Sequence, residues 1–214
     1  MSRLQFTALE RTVDPTAEPV TLAELRTQLG LTATGSPESH PDDAYVTGLG
    51  KAARQYIERV TGHPLMTQTW RMTLADFPPS RDRAIYLAKP PVQSVTSVTY
   101  IDSTGTEQTW SSSEYEVDTR GLSPRLKPLP GYSWPTTGDY LNAVTVTTVN
   151  GHAATSSPVT DAAENVPEEA KHAIKLLVTH WYDNRSPVTE AAQVSNLPFA
   201  LDAMLGVLTV PRVF

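Results

Sequence analysis

The hydrophobic period changes twice along this chain, and that constrains its fold more than any other feature. Apolar residues recur at three- and four-residue steps near both ends and at every second position in the middle, so two helical parts bracket a β-rich insertion. The spacing predicts an α+β protein: a small α-helical bundle formed by the N- and C-terminal helices, with a central antiparallel β-sheet or sandwich insertion. The expected parts are an N-terminal helical part over 1–64, a β-rich insertion over 65–150, and a C-terminal helical part with a docking tail over 151–214.

The first helix is predicted over 21–29, opened by Thr21-Leu22-Ala23-Glu24, which reads as a capping box, and closed by Gly30. A polar loop, Thr32 to Pro41, separates it from a second helix over 43–61. There Val46, Leu49, Ala53, Tyr56, Ile57 and Val60 make one apolar stripe between Asp42-Asp43 and Gly62. Gly48 and Gly50 each weaken this helix by about 1 kcal/mol relative to alanine. Either they are weak points or they allow close helix contact, and the sequence leaves both readings open. A third helix, 167–185, starts at Pro167-Glu168-Glu169 and carries Ala170, Ala173, Ile174, Leu177, Val178 and Trp181 on one face. Arg185 and Pro187 end it. A short helix over 198–205 and an apolar tail follow.

Between the helices the period is two. The expected strands are Thr67–Leu74, Ala84–Leu87, Val95–Ile101, Thr106–Trp110, Tyr115–Val117, Arg125–Lys127 and Val144–Val149. Asp102-Ser103-Thr104-Gly105 supplies a hairpin turn. Trp70, Met72 and Leu74 share one face of their strand.

Composition removes several classes of function. The chain has 214 residues, enough for a real core, and no cysteine, which excludes disulfides, thiolate metal sites and a cysteine nucleophile. The net charge is −6 and no run of Lys or Arg stands out, so tight nucleic-acid binding through counterion release is not expected. A mildly acidic wall would still let DNA pass as cargo without holding it. No apolar run approaches the roughly 20 residues of a membrane span. Residues 1–10 lack the basic-then-apolar order of a signal peptide, so the expected compartment is cytoplasm.

The search for chemistry yields little. Of the five histidines, His40, His63 and His152 fall in loops, and His172 and His180 lie eight residues apart on one helix, without the i, i+4 spacing of a helical zinc motif. Asp42/Asp43 and Glu168/Glu169 sit at helix starts, where the helix dipole favours acids. Glu114 and Glu116 could form a glycosidase-like pair, but no partnering acid, base or pocket signal accompanies them. There is no nucleophile elbow, Walker A loop or dinucleotide fingerprint. No catalytic, cofactor-binding or metal residue is assigned, no cofactor is expected, and the protein reads as non-enzymatic. Trp70, Trp110 and Trp134 fit either a sheet core or a carbohydrate platform.

Six segments, in order, carry a likeness. They are Glu18-Pro19-Val20-Thr21-Leu22-Ala23-Glu24; Asp42-Asp43-Ala44-Tyr45-Val46 with Ala52 to Glu58; Thr61-Gly62-His63-Pro64-Leu65-Met66-Thr67-Gln68-Thr69-Trp70; Pro90-Pro91-Val92-Gln93-Ser94-Val95-Thr96-Ser97-Val98; Val166 to Ile174 continuing through His180-Trp181-Tyr182-Asp183-Asn184-Arg185; and Leu197-Pro198-Phe199-Ala200-Leu201-Asp202-Ala203-Met204-Leu205. Together they resemble the head–tail connector (adaptor, head-completion) family of tailed bacteriophages and gene transfer agents. The chain departs from that pattern in a longer Thr32–Pro41 loop, and in residues 206–212, which stand where the family has Pro-Tyr-Arg.

The resemblance implies a structural virion protein at the head–tail junction, assembled in the host cytoplasm. Its subunits would form a ring, typically a dodecamer, under the portal protein, extend the DNA channel and offer a platform for a neck, stopper or tail-completion protein. It implies no cofactor, no membrane and no sequence-specific DNA contact. A ring needs contacts between two different faces of each subunit. The candidates for oligomer and portal contacts are Tyr182, Arg185, Phe199, Leu201, Leu205, Val210, Arg212 and Phe214, together with the hairpin tip, Ser103 to Gly105. The main alternative is a carbohydrate-binding β-sandwich module of a phage tail or cell-wall protein, using Trp110 and Trp134. A hydrolase built on Glu114 and Glu116 is a distant third.

Overall fold

Each hydrophobic period builds its own unit. The computed structural model describes residues 6–35, 37–80, 84–121, 123–154, 161–185, 204–206 and 208. The chain divides into a β unit, drawn from residues up to Thr16 and from Thr67–His152, and a helical unit, drawn from Ala17–Met66 and from Ala153 onward.

In the helical unit α1 spans Leu22–Leu29, α2 Asp43–Thr61 and α3 Glu168–Asp183. The capping box forms as the sequence indicates: the Thr21 hydroxyl accepts the Glu24 N–H at 3.3 Å, and the Glu24 carboxylate accepts the Thr21 N–H at 2.9 Å. Gly30 and Gly62 close α1 and α2 at φ 66° and 80°, where a side chain would be strained. The core joins Val20, Leu25, Val46, Ala53 and Ile57 to Ala170, Ala173, Ile174, Leu177 and Val178. Each large aliphatic group buried there contributes about 1.5–3 kcal/mol.

The buried face of α2 is rotated from the expected stripe. Val46, Gly50, Ala53, Arg54, Ile57, Glu58 and Thr61 are buried, whereas Val60 is 45% exposed. Gly50 belongs to that face because α1 presses on it: a Cβ there would meet Leu25 Cδ1 at 2.9 Å. Gly48 has nothing within 4 Å. Of the two glycines, then, Gly50 marks close helix contact. Helix α3 stops at Asp183 rather than Arg185, and the side-chain amide of Asn184 donates to the His180 carbonyl at 2.8 Å. Of the expected short helix 198–205, residues 198–203 lie outside the described residues, and 204–206 and 208 are helical.

In the β unit a five-stranded sheet has the order β1-β2-β8-β4-β5 and a three-stranded sheet the order β3-β7-β6. Their strands are β1 Phe6–Val13, β2 Gln68–Leu74, β3 Ile85–Tyr86, β4 Val92–Ile101, β5 Glu107–Thr109, β6 Tyr115–Asp118, β7 Arg125–Pro128 and β8 Val144–Asn150. The central strand β8 alternates fully: Val144, Val146, Thr148 and Asn150 are buried and the residues between them are partly exposed. Val146 stands opposite Met72 on one side and Val98 on the other. Ile85, Tyr115 and Leu126 of the small sheet share a core with these residues, so the insertion is a two-sheet arrangement.

Strand β1 differs from the sequence expectation, which gave residues before Thr21 no element. It pairs antiparallel with β2 at the edge of the larger sheet, and residues 6–16 accordingly group with the β unit instead of an N-terminal helical part. Two register shifts, between Phe6 and Ala8 and between Arg11 and Val13, break its alternation.

Asn150, wholly buried, ties the entry of β4 to β8. Its amide donates to the carbonyls of Ala88 at 3.0 Å and Lys89 at 2.7 Å, and its oxygen accepts the Thr148 hydroxyl at 2.7 Å. Lys89 is thereby held at φ 60° with its ammonium 5.2 Å from the Trp70 ring centre.

Candidate assembly interface

Two helix ends meet in the helical unit, and the residues there are of the types that dominate binding surfaces. Asp42 precedes α2 without capping it through its side chain. Its carboxylate turns to the end of α3, where it accepts the Tyr182 hydroxyl and, at 2.8 Å, an Arg185 guanidinium N–H. Because α3 stops at Asp183, Arg185 is free to fold back. Its guanidinium lies over the Tyr182 ring at 4.1 Å and over the Tyr45 ring at 4.8 Å, and those two rings are 6.1 Å apart.

Beside this stack Asp43 is gripped from α1. Arg26 donates through Nε at 2.7 Å and through a second, shorter bond from Nη2, and the His40 N–H adds a third at 2.8 Å. His40 Nδ1 accepts the Asp42 N–H at 3.1 Å. The electrostatics follow. The Tyr182 hydroxyl, and then Arg185, hold the Asp42 carboxyl below its usual range. Arg26, and then the His40 N–H, lower Asp43 to about 2. Donation to Asp42 raises Tyr182, and the same carboxylate raises Arg185. With every acid matched to a donor, the cluster is suited to holding a shape and to stacking. Tyr45 is 40% exposed, and the Arg185 side chain 47%, so one face of the stack remains open. Tyr and Arg are over-represented among residues that dominate binding energy.

The structure thus brings Tyr182 and Arg185 together. Leu205 is 5% exposed and belongs to the helical core. Phe199, Leu201, Val210, Arg212 and Phe214 lie outside the described residues. Sequence reasoning did not find Tyr45 and Asp42 as their partners. Asp42 was explained by the helix dipole alone, and nothing local links it to a residue 143 positions away.

The β unit offers a second exposed feature at the hairpin tip. Asp102 Oδ1 accepts the Thr104 and Thr106 N–H groups at 2.9 and 3.0 Å and the Thr104 hydroxyl at 2.6 Å, while Oδ2 accepts Gln108 at 3.0 Å. The Thr104 hydroxyl, foremost among these donors, lowers the Asp102 carboxyl to about 2. In the adjoining loop Leu141 is 87% exposed and Tyr140 44%. A half-open depression of about 240 Å³ beside the tip has Glu107 as the one carboxylate among its described lining residues.

The rival chemistries lose their residues. Trp110 is 4% exposed, packs edge-on or tilted among Phe77, Tyr115 and Trp134, and donates its Nε1–H to Glu114 at 2.7 Å. Trp134 donates to the Ser80 carbonyl at 3.1 Å and lies parallel to Phe77 at 5.1 Å. Trp110 is therefore core, and Trp134 packs against it partly buried. Glu114 is committed to Trp110, and Glu116 forms a 3.1 Å ion pair with Lys127 across the β6–β7 ladder. Among the described residues no group of three or more His, Asp or Glu side chains could hold a metal, and no helix is long and apolar enough to cross a membrane.

No protein-family model and no curated protein matches the sequence. Chains of similar fold occur in solved structures, among them the following three. One, in the virion of a native gene transfer agent particle, has a TM-score of 0.71 at 22% identity, over 96% of this chain and 97% of that one. Another, in the neck of an empty gene transfer agent particle computed with C6 symmetry, has a TM-score of 0.73 at 22% identity, over 97% and 98%. The third, in the neck of a native particle computed with C12 symmetry, has a TM-score of 0.69 at 20% identity, over 97% and 98%. Nearly end to end, this chain has the α+β fold of chains that occur in gene transfer agent particles.

Proposed function

We propose that this protein is a structural subunit of the neck of a phage-like particle: a head–tail connector that forms a ring under the portal, extends the DNA channel and carries the next neck or tail protein. The observation that carries this reading is the fold likeness, which spans nearly the full length of both chains in neck structures. A shared domain inside unrelated proteins would leave long unmatched stretches.

The C6 and C12 symmetries of those necks support a ring of identical subunits, and a ring requires head-to-tail contact between two different faces. The Tyr45–Arg185–Tyr182 stack on the helical unit and the hairpin tip with Leu141 on the β unit are the two faces assigned here. The mechanism is binding without covalent chemistry, and DNA is passing cargo. The apolar segment 197–214 is assigned to docking on the portal or on a neighbouring subunit.

Negative-stain microscopy of the chain mixed with its candidate portal ring tests the reading. An added collar with the portal's symmetry supports it; bare portal rings with free monomer at high protein concentration overturn it. Deleting residues 206–214 should abolish head joining in an in vitro complementation assay, and normal joining would remove the role assigned to the tail.

A further inference from the structure

Among the described residues the chain passes between its units at Thr16–Ala17, Met66–Thr67 and His152–Ala153. Two of these crossings lead to one buried cation inside the helical unit. Arg54, in the middle of α2, is 1% exposed. Its Nε and Nη2 donate to the two carboxylate oxygens of Glu18 at 2.6 and 3.3 Å, and Glu18 is the second residue of the helical unit after the first crossing. On its other side Nη1 donates to Glu58 Oε2 at 2.9 Å. The remaining Glu58 oxygen, Oε1, accepts the Leu65 N–H at 2.9 Å, just before the second crossing.

The guanidinium presents its donors in a fixed plane, so the positions of the two carboxylates depend on each other. Water does not reach Arg54 freely to replace a lost partner, and the low dielectric makes each member of the network sensitive to the others. The hydrophobic residues around it explain why α2 packs, but not why a charged fork occupies its buried face.

We infer that Arg54 couples the two crossings: whatever loosens the segment Ala17–Val20 is felt at the Leu65 amide, and the reverse. This is a positioning role, independent of the neck reading, and it gives a mechanical link between segments 47 residues apart in sequence (65 − 18). Binding linkage requires the coupling to be reciprocal.

Amide hydrogen exchange on the full chain tests it. Glu18→Ala is the primary variant because the Glu18 side chain is 31% exposed and its loss leaves Arg54 paired with Glu58. The Leu65 amide should exchange about tenfold faster, the scale set by weakening one charge-assisted hydrogen bond. The Ala173 and Leu177 amides of α3 should keep their wild-type rates. In the opposite direction, Glu58→Gln should shift the backbone amide resonances of Ala17, Glu18 and Val20 in the same NMR spectra. Glu18→Gln keeps one acceptor for Arg54, gives the same direction at smaller amplitude, and serves if the alanine variant does not fold. An unchanged Leu65 rate, unmoved Ala17–Val20 resonances in Glu58→Gln, or equal acceleration throughout the helical unit would each overturn the coupling.

Discussion

Gly50 on α2 lies so close to Leu25 on α1 that a Cβ at position 50 would stand 2.9 Å from the leucine Cδ1. Leu25 is 2% exposed and has little room to retreat. Two residues away, Gly48 faces open space. Gly48→Ala should therefore stabilise the protein by about 0.5–1 kcal/mol through helix propensity alone. Gly50→Ala gains the same propensity but overpacks the α1–α2 contact, at about 1–3 kcal/mol, and should be destabilised on balance. Urea midpoints of the two variants check the contrast, and midpoints shifted the same way would contradict it.

Arg54 is flanked by carboxylates on both sides, and removing it strands a negative charge beside the core. Arg54→Met should cost about 3–5 kcal/mol. Adding Glu58→Gln should recover part of that loss, because glutamine still accepts the Leu65 N–H and carries no charge. Thermal and urea unfolding of the single and double variants measure it; a double variant less stable than Arg54→Met would show that the stranded charge is not the cause.

Asp43 and Asp102 both fall from an ordinary 3.8 to about 2 in the folded protein. A folded value below the unfolded one means that each carboxylate contributes stability above pH 3.8, and that the contribution disappears as pH falls through about 2. Stability should decline across that window, and Asp43→Asn and Asp102→Asn should each flatten the decline. Denaturant midpoints taken stepwise from pH 5 downward give the curve; unflattened curves in both variants would count against it.

At Asp42 the Tyr182 hydroxyl is the foremost cause of the lowered pKa and Arg185 the next. Tyr182→Phe keeps the ring under the guanidinium and removes only the donor. It should raise the Asp42 carboxyl, read as a carboxyl carbon titration by NMR, and Arg185→Gln, which removes the charge, should raise it as well. An Asp42 titration unmoved in Tyr182→Phe would show that the hydroxyl does not hold the site.

The helices were legible because their signals are local: a cap at Thr21, acids at Asp43 and Glu168, and glycines at 30 and 62. Strands β7 and β8 were legible because burial alternates along them, and β4 and β5 because Asp102 to Gly105 marks a hairpin turn between them. Strand β1 was not. It lies at an edge, its bulges break the period, and Thr7, Ala8, Glu10, Thr12 and Val13 are exposed, so it shows little hydrophobic pattern. Arg54 was hidden for the opposite reason, since an arginine next to an apolar stripe reads as solvated. The available signal was Glu58 four residues on, which places an ion pair on the same helix face. The meeting of Asp42 with Tyr182 and Arg185 depends on how α2 and α3 pack, and no local spacing encodes that.

Every neighbouring pair in the five-stranded sheet is antiparallel, and an odd count of alternating strands leaves its two outer strands, β1 and β5, running in the same direction. Rotation about a ring axis, in steps of thirty or sixty degrees, does not reverse a strand. Neighbours in such a ring could join β5 to β1 only in the parallel sense, which is the weaker pairing, and over the three residues of β5. The antiparallel alternative, β1 against a second β1, needs a two-fold axis and stops at a pair. The sheet therefore cannot propagate as an antiparallel ribbon around a circle, and its bulged outer strand does not template the dead-end dimer well. In the ring proposed above, the five-stranded sheet would supply at most a short parallel join, so side-chain contact would have to carry most of the work on that sheet's edges.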